Sequence, residues 1–103
     1  MKTLILAALA AAVSLPAWSA TPDEAMTKAG CMACHAKDKK VLGPSFKDIA
    51  LKYKGQKDAS AQLIAKVRKG GSGVFGPVPM APNPPDKIND ADLKAAIEQI
   101  LKS

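Results

Sequence analysis

Two cysteines and one histidine stand together at Cys31-Met32-Ala33-Cys34-His35, and the chain has no other cysteine or histidine. Several chemistries use two thiols at this spacing. A disulfide oxidoreductase sets the pair at the start of a helix within a strand-helix-strand unit. No alternating β-branched strand is legible here, and the pair falls near the end of a helical pattern instead. Structural zinc needs about four nitrogen or sulfur ligands, and these three residues lie too close together to close a tetrahedral site unaided. A disulfide across so short a loop would constrain little of the unfolded chain. Haem attachment uses every member of the group. Two thiols add to the two vinyl groups, and the next residue, His35, is placed under the iron. One motif specifies one haem c, bound covalently through thioethers at Cys31 and Cys34.

With no second histidine, the opposite face of the iron needs another donor, and a Met thioether is the usual one for an electron carrier. Met32 lies inside the attachment segment and Met26 about a turn and a half before Cys31, so neither reaches the far face; both read as core fillers. Met80 sits in Gly76-Pro77-Val78-Pro79-Met80-Ala81-Pro82-Asn83-Pro84-Pro85, where five of the eight prolines fall within residues 77–85. Such a segment is neither helix nor central strand. It is either a stiff surface loop or a strap across the haem. As a strap, its prolines lower the entropy lost in holding Met80 on iron.

The chain that must position these groups is small. Its 103 residues begin with Lys2, an apolar run from Leu4 to Val13, then Leu15, Pro16 and Ala17-Trp18-Ser19. That order reads as a secretory signal peptide over residues 1–19, and the run is too short for a spanning helix. Removing 19 of 103 residues leaves a domain of 84, residues 20–103, with Phe46, Tyr53 and Phe75 as its aromatics. Without Lys2, 14 basic residues face 9 acidic ones, a net charge of +5. A domain of this size is marginal without a staple and has no room for a large enzyme's deep pocket. A porphyrin would supply the missing apolar body. Export also fits, because such haems are attached outside the cytoplasm, so the expected location is periplasmic.

Four helices are expected and no strand. Thr21 caps the first, with Pro22 at its first position and Glu24 completing a capping box, and it runs to about Ala33. Residues 34–44 read as irregular, turning at Gly43-Pro44. Ser45 caps a second helix with Phe46, Ile49, Ala50 and Tyr53 on one face, stopped by Gly55. Asp58 caps a third through Lys69, with Leu63, Ile64 and Val67 inward and Gly70 as terminator. Asn89 caps the last, whose face is Leu93, Ala96, Ile97, Ile100 and Leu101. Four of the seven glycines lie in 70–76, where backbone can approach something flat closely.

Charge is concentrated. Residues 37–69 hold ten Lys or Arg against Asp38, Asp48 and Asp58, while residues 70–85 hold no charge. A basic run is usually a solvated face, and no nucleic-acid motif accompanies this one. Beside an uncharged Gly/Pro collar it suits brief, electrostatically steered docking on a redox partner with an acidic patch.

Taken together, the sequence resembles the short bacterial class I cytochromes c of the c-551/c-552 type. The resemblance spans residues 20–103 and rests on Gly30-Cys31-Met32-Ala33-Cys34-His35, Val41-Leu42-Gly43-Pro44, Asp48-Ile49-Ala50-Leu51-Lys52-Tyr53, Lys69 through Gly76, and Pro77-Val78-Pro79-Met80. It implies an all-α fold, with about four helices wrapped around one covalently bound haem, crossed terminal helices and His35/Met80 ligation. It implies that the Pro44 carbonyl accepts from His35 and fixes its ring, and it matches Asn83 to a family asparagine near the ligand sulfur. The implied function is soluble, monomeric, one-electron transfer between Fe(III) and Fe(II), without catalysis. Partners would be an oxidase, a reductase, a cytochrome bc complex or a photosynthetic reaction centre, with no nucleic acid and no stable membrane insertion. The alternative is a haem that releases Met80 for peroxide or gas chemistry. Three departures stand out. Phe75 and Gln99 replace family tryptophans, and Ala81 replaces a proline. Phe75 lacks the N–H that can bond a haem propionate, leaving Lys66, Arg68 or water to compensate.

Overall fold

The computed structural model describes residues 21–103, so the signal-peptide segment lies outside the described residues. The elements in order are α1 (Pro22–Ala29), a 3-10 turn (Cys31–Ala33), α2 (Phe46–Tyr53), α3 (Ala59–Lys69) and α4 (Asp90–Leu101). Among the described residues there is no strand, only two isolated antiparallel bridges. The fold is all-α, as expected.

Three helices start on the caps that the sequence offers. The side chains of Thr21, Ser45 and Asn89 accept from the backbone N–H of Glu24, Asp48 and Asp92 respectively, and each bond satisfies one orphan donor of a first turn. Asp58 precedes α3 but its side chain makes no capping bond. The first helix also ends earlier than its pattern suggests. Gly30 takes the left-handed conformation at φ 87° and its N–H donates to the Met26 and Thr27 carbonyls. That closes α1 at Ala29 and turns the cysteine segment into a separate 3-10 turn.

The core sits around α4, which packs against α1, α2 and α3. Its Leu93, Ala96, Ile97 and Ile100 are buried with Ala25, Met26 and Ala29 of α1, Phe46, Ile49 and Tyr53 of α2, and Ala59 and Leu63 of α3. Ile64, Val67 and Leu101 are only partly buried at its edge. Met26 is 2% exposed and fills the core, whereas Met32, read alongside it as a filler, is 40% exposed. The 3-10 turn carries Met32 outward. Ile88, just before the Asn89 cap, is also buried. With Leu93 it occupies the two positions of a hydrophobic staple, a signal legible in Ile88-Asn89-Asp90-Ala91-Asp92-Leu93. Gln99 meets no aromatic packing demand: its Nε2 donates to Asp23 Oδ1 at 2.8 Å, tying α4 to α1.

Candidate functional site

The cysteine turn is held by its own backbone. The N–H groups of Cys34 and His35 both donate to the Cys31 carbonyl, at 3.2 and 3.0 Å, and that of Gly43 donates to Cys34 at 2.7 Å. The loop then runs into α2, whose first two amides, Phe46 and Lys47, donate to the carbonyls of Ala36 and Lys37. The N-terminus of α2 is thereby satisfied by the very loop that carries His35. Cys31 is partly buried and Cys34 exposed, and the two are not joined in a disulfide. Burial pushes the Cys31 thiol up from its ordinary value, and the neighbouring Cys34 adds to this. Among the described residues, no three His, Cys, Asp or Glu side chains gather as a metal site.

His35 is oriented from two sides. Its Nδ1 lies 2.7 Å from the Pro44 carbonyl. A carbonyl only accepts, so Nδ1 carries the proton and Nε2 keeps its lone pair for a metal. The ring stacks on buried Phe46, with centroids 5.6 Å apart and planes 22° from parallel. Gly43 lies against the same ring: a Cβ there would come within 2.6 Å of His35 Cε1. The pairing of Pro44 with His35, which the resemblance implied, is present in the geometry.

Met80 itself is held through its own backbone. It exchanges two hydrogen bonds with Gly71, each 2.9 Å, forming one of the two isolated bridges. Gly70, at φ 69°, ends α3 directly beneath this segment. A Cβ on it would collide with the Met80 carbonyl and lie 2.8 Å from Pro82 N. Glycine clustering in 70–76 therefore has a concrete reason at this position, the close approach of the proline strap itself.

Asn83 is 8% exposed. Its backbone N–H donates to the Val67 carbonyl at 2.9 Å, and its Nδ2 faces the carbonyls of Val67 at 3.4 Å and Ala81 at 3.0 Å. In this structure Asn83 seals the C-terminus of α3 and folds the strap on itself. Arg68, offered from sequence as a propionate partner, is engaged elsewhere. Its guanidinium meets Asn83, Ile88 and Asp90. Sequence reading missed this link, since nothing local to Arg68 announces partners 15 to 22 positions away. Phe75 carries Lys52 Nζ over its ring at 5.6 Å from the centroid.

These groups fit a haem. The donor set is one imidazole with its free nitrogen set by Pro44, two adjacent thiols and a thioether. Of seven large apolar side chains left exposed among the described residues, five (Val41, Leu42, Val74, Phe75 and Val78) lie in the two loops leading to Pro44 and to Met80, surfaces that a porphyrin between those loops would cover.

Comparison with known proteins agrees. Residues 23–103 match the family model described as Cytochrome c. The chain is 56% identical over 84 residues to cytochrome c2 of Rubrivivax gelatinosus, covering 82% of this chain and 99% of that protein. It is 44% identical over 102 residues to cytochrome c-552 of Nitrosomonas europaea, covering 98% and 97%. The crystal structure of wild-type Nitrosomonas europaea cytochrome c552 superimposes with a TM-score of 0.71 at 44% identity, over 78% of this chain and 96% of that one. The class 1 cytochrome MtoD of Sideroxydans lithotrophicus ES-1 gives 0.70 at 32% identity, over 80% and 91%. The chain therefore belongs to the cytochrome c family, as a class I member of the c-551/c-552 type: a monohaem electron-transfer protein rather than an enzyme, with Cys31 and Cys34 in the attachment motif for one haem c.

Proposed function

We propose that the protein is a periplasmic one-electron carrier in which His35 and Met80 would be the two protein ligands of the haem iron. The observation that carries this reading is the 2.7 Å contact between His35 Nδ1 and the Pro44 carbonyl. It fixes the tautomer in which Nε2 is the donor and holds the ring against rotation. When bound, the haem supplies a metal centre that cycles between Fe(III) and Fe(II). The protein's part is to hold both ligands in one geometry through that cycle. Paired bonds to Gly71 restrain Met80, and thioether ligation favours the reduced state. Residues 1–19 act as an export signal that is removed from the mature protein.

The partner surface follows from charge. Eight of the ten basic residues in 37–69 are exposed, and among the described residues only Arg68 makes an ion pair. The free lysines are available to steer a partner with an acidic patch toward the uncharged collar around Met80. No described helix is long and apolar enough to cross a membrane. The peroxide or gas alternative gains no support, since His35 is the single histidine and Met80 is restrained on its own backbone.

Visible spectra of both oxidation states test this directly. The Fe(III) protein should show the weak long-wavelength band of thioether ligation, absent in Met80→Ala. Rapid carbon monoxide binding by the reduced wild type at neutral pH would favour the alternative. Rates with an acidic partner should fall as ionic strength rises, and a flat profile would remove the basic face from docking. Protein from a periplasmic extract should begin at Ala20.

A further inference from the structure

We propose that Arg68 is a positioning residue for the Met80 ligand, acting as the buckle that closes the far end of the strap. This rests on the reading of Met80 as a ligand. Arg68 lies in the last turn of α3, with its side chain 19% exposed. Its Nη1 donates to the carbonyls of Asn83, at 3.1 Å, and Ile88, at 2.8 Å, and its Nη2 to Asp90 Oδ1 at 2.6 Å. One planar group thus joins three elements: the C-terminus of α3, the exit of the strap and the first residue of α4.

The strap is therefore held at two points with Met80 between Gly70 and the buckle. At one point the Gly71–Met80 pair holds the ligand itself. At the other, Asn83 is bonded to Val67 and its own carbonyl is taken by Arg68. Between Asn83 and Ile88 the chain passes Pro84 and Pro85, which have no N–H to offer. Asn83 and Ile88 are both buried, so without the guanidinium two carbonyls in a sheltered place lose a charged donor. Asp90 matters less, because its side chain is 91% exposed and water replaces the arginine there. A lysine at 68 would keep the charge. It would lose the fork that spans both carbonyls and the carboxylate at once.

The test uses the haem-loaded protein. Oxidised protein is mixed with imidazole, and its capture of the iron is followed by loss of the thioether band. Amide hydrogen exchange at Met80 and Asn83 is measured in parallel, with Ala25 and Met26 of α1 as reference. Arg68→Lys and Arg68→Met should both accelerate imidazole capture about tenfold, the loss expected for one charge-assisted bond, and should speed exchange at Met80 and Asn83 but not in α1. Asp90→Ala should change capture by less than about twofold, as an exposed ion pair does. Wild-type behaviour of Arg68→Lys in both measurements would overturn the buckle, as would equal acceleration of α1, which would make Arg68 a general stabiliser. A wild type without the thioether band would instead sink the Met80 reading, while the exchange arm still reports whether Arg68 restrains the strap.

Discussion

His35 and Met80 are held by different kinds of constraint. The His35 side is built from neighbours in sequence. Its carbonyl partner Pro44 is nine positions away, its stacking partner is Phe46, and Gly43 lies against the ring. The Met80 side mixes the two ranges. Met80 itself bonds Gly71, also nine positions away, but the strap beyond it rests on Val67 and Arg68, 16 and 15 positions from Asn83, at the end of another helix. Nearby contacts restrain a side chain at little loop-closure entropy, whereas distant ones need the helices in place first. The imidazole side should therefore be the persistent ligand and the thioether side the one that fails first.

The comparison can be erased altogether by removing what joins the two sides. Cys31→Ala/Cys34→Ala should leave a chain with little helical circular dichroism, because a domain of this size lacks a sufficient core without its haem. Native helix content in that variant would show that the α4-centred core suffices alone. Next in size is Gly70→Ala, which places a methyl against the Met80 and Pro82 backbone at φ 69°. Denaturant titration should show a loss of roughly 3 kcal/mol, with the thioether band lost before the helices melt.

Gly43→Ala strikes the other side. Its Cβ would meet the His35 ring within 2.6 Å, so the ring must shift, at about 1–3 kcal/mol by analogy with overpacked cores. The imidazole resonances of the Fe(III) protein should move while the thioether band remains. The smallest effect expected is for Pro44→Ala. Any residue at 44 keeps the carbonyl that His35 uses, so only the proline's restriction of the unfolded chain is lost, about 0.5–1 kcal/mol. A large loss of stability there would mean that the ring of Pro44, and not its carbonyl, supports His35.

Legibility in the sequence follows the same division. Helix starts at Thr21, Ser45 and Asn89 could be read because a cap needs only a side-chain oxygen and an amide three residues on. The attachment motif was readable for a similar reason: five consecutive residues carry all of its chemistry. The first helix was read four residues too long, because the apolar pattern continues past Gly30 while the backbone turns there. Arg68 reads from sequence as one member of the basic run and a candidate propionate partner, since its partners at 83, 88 and 90 are brought to it only when α3, the strap and the start of α4 come together.

By itself the sequence determined the helical class, most of the helix faces, and the thiols and imidazole of the attachment turn, and it singled out Met80 as the thioether we propose for the second ligand. These follow from residue type and short spacing, which act before the chain has folded. Tertiary structure alone decided how the strap lies. Its bonds to Gly71 and Val67 and its contact with Gly70 depend on the strap folding back on the end of α3, and its closure by Arg68 on the placing of α3 against the start of α4. Hydrogen bonds between residues far apart in the chain form only where packing has already brought the partners together.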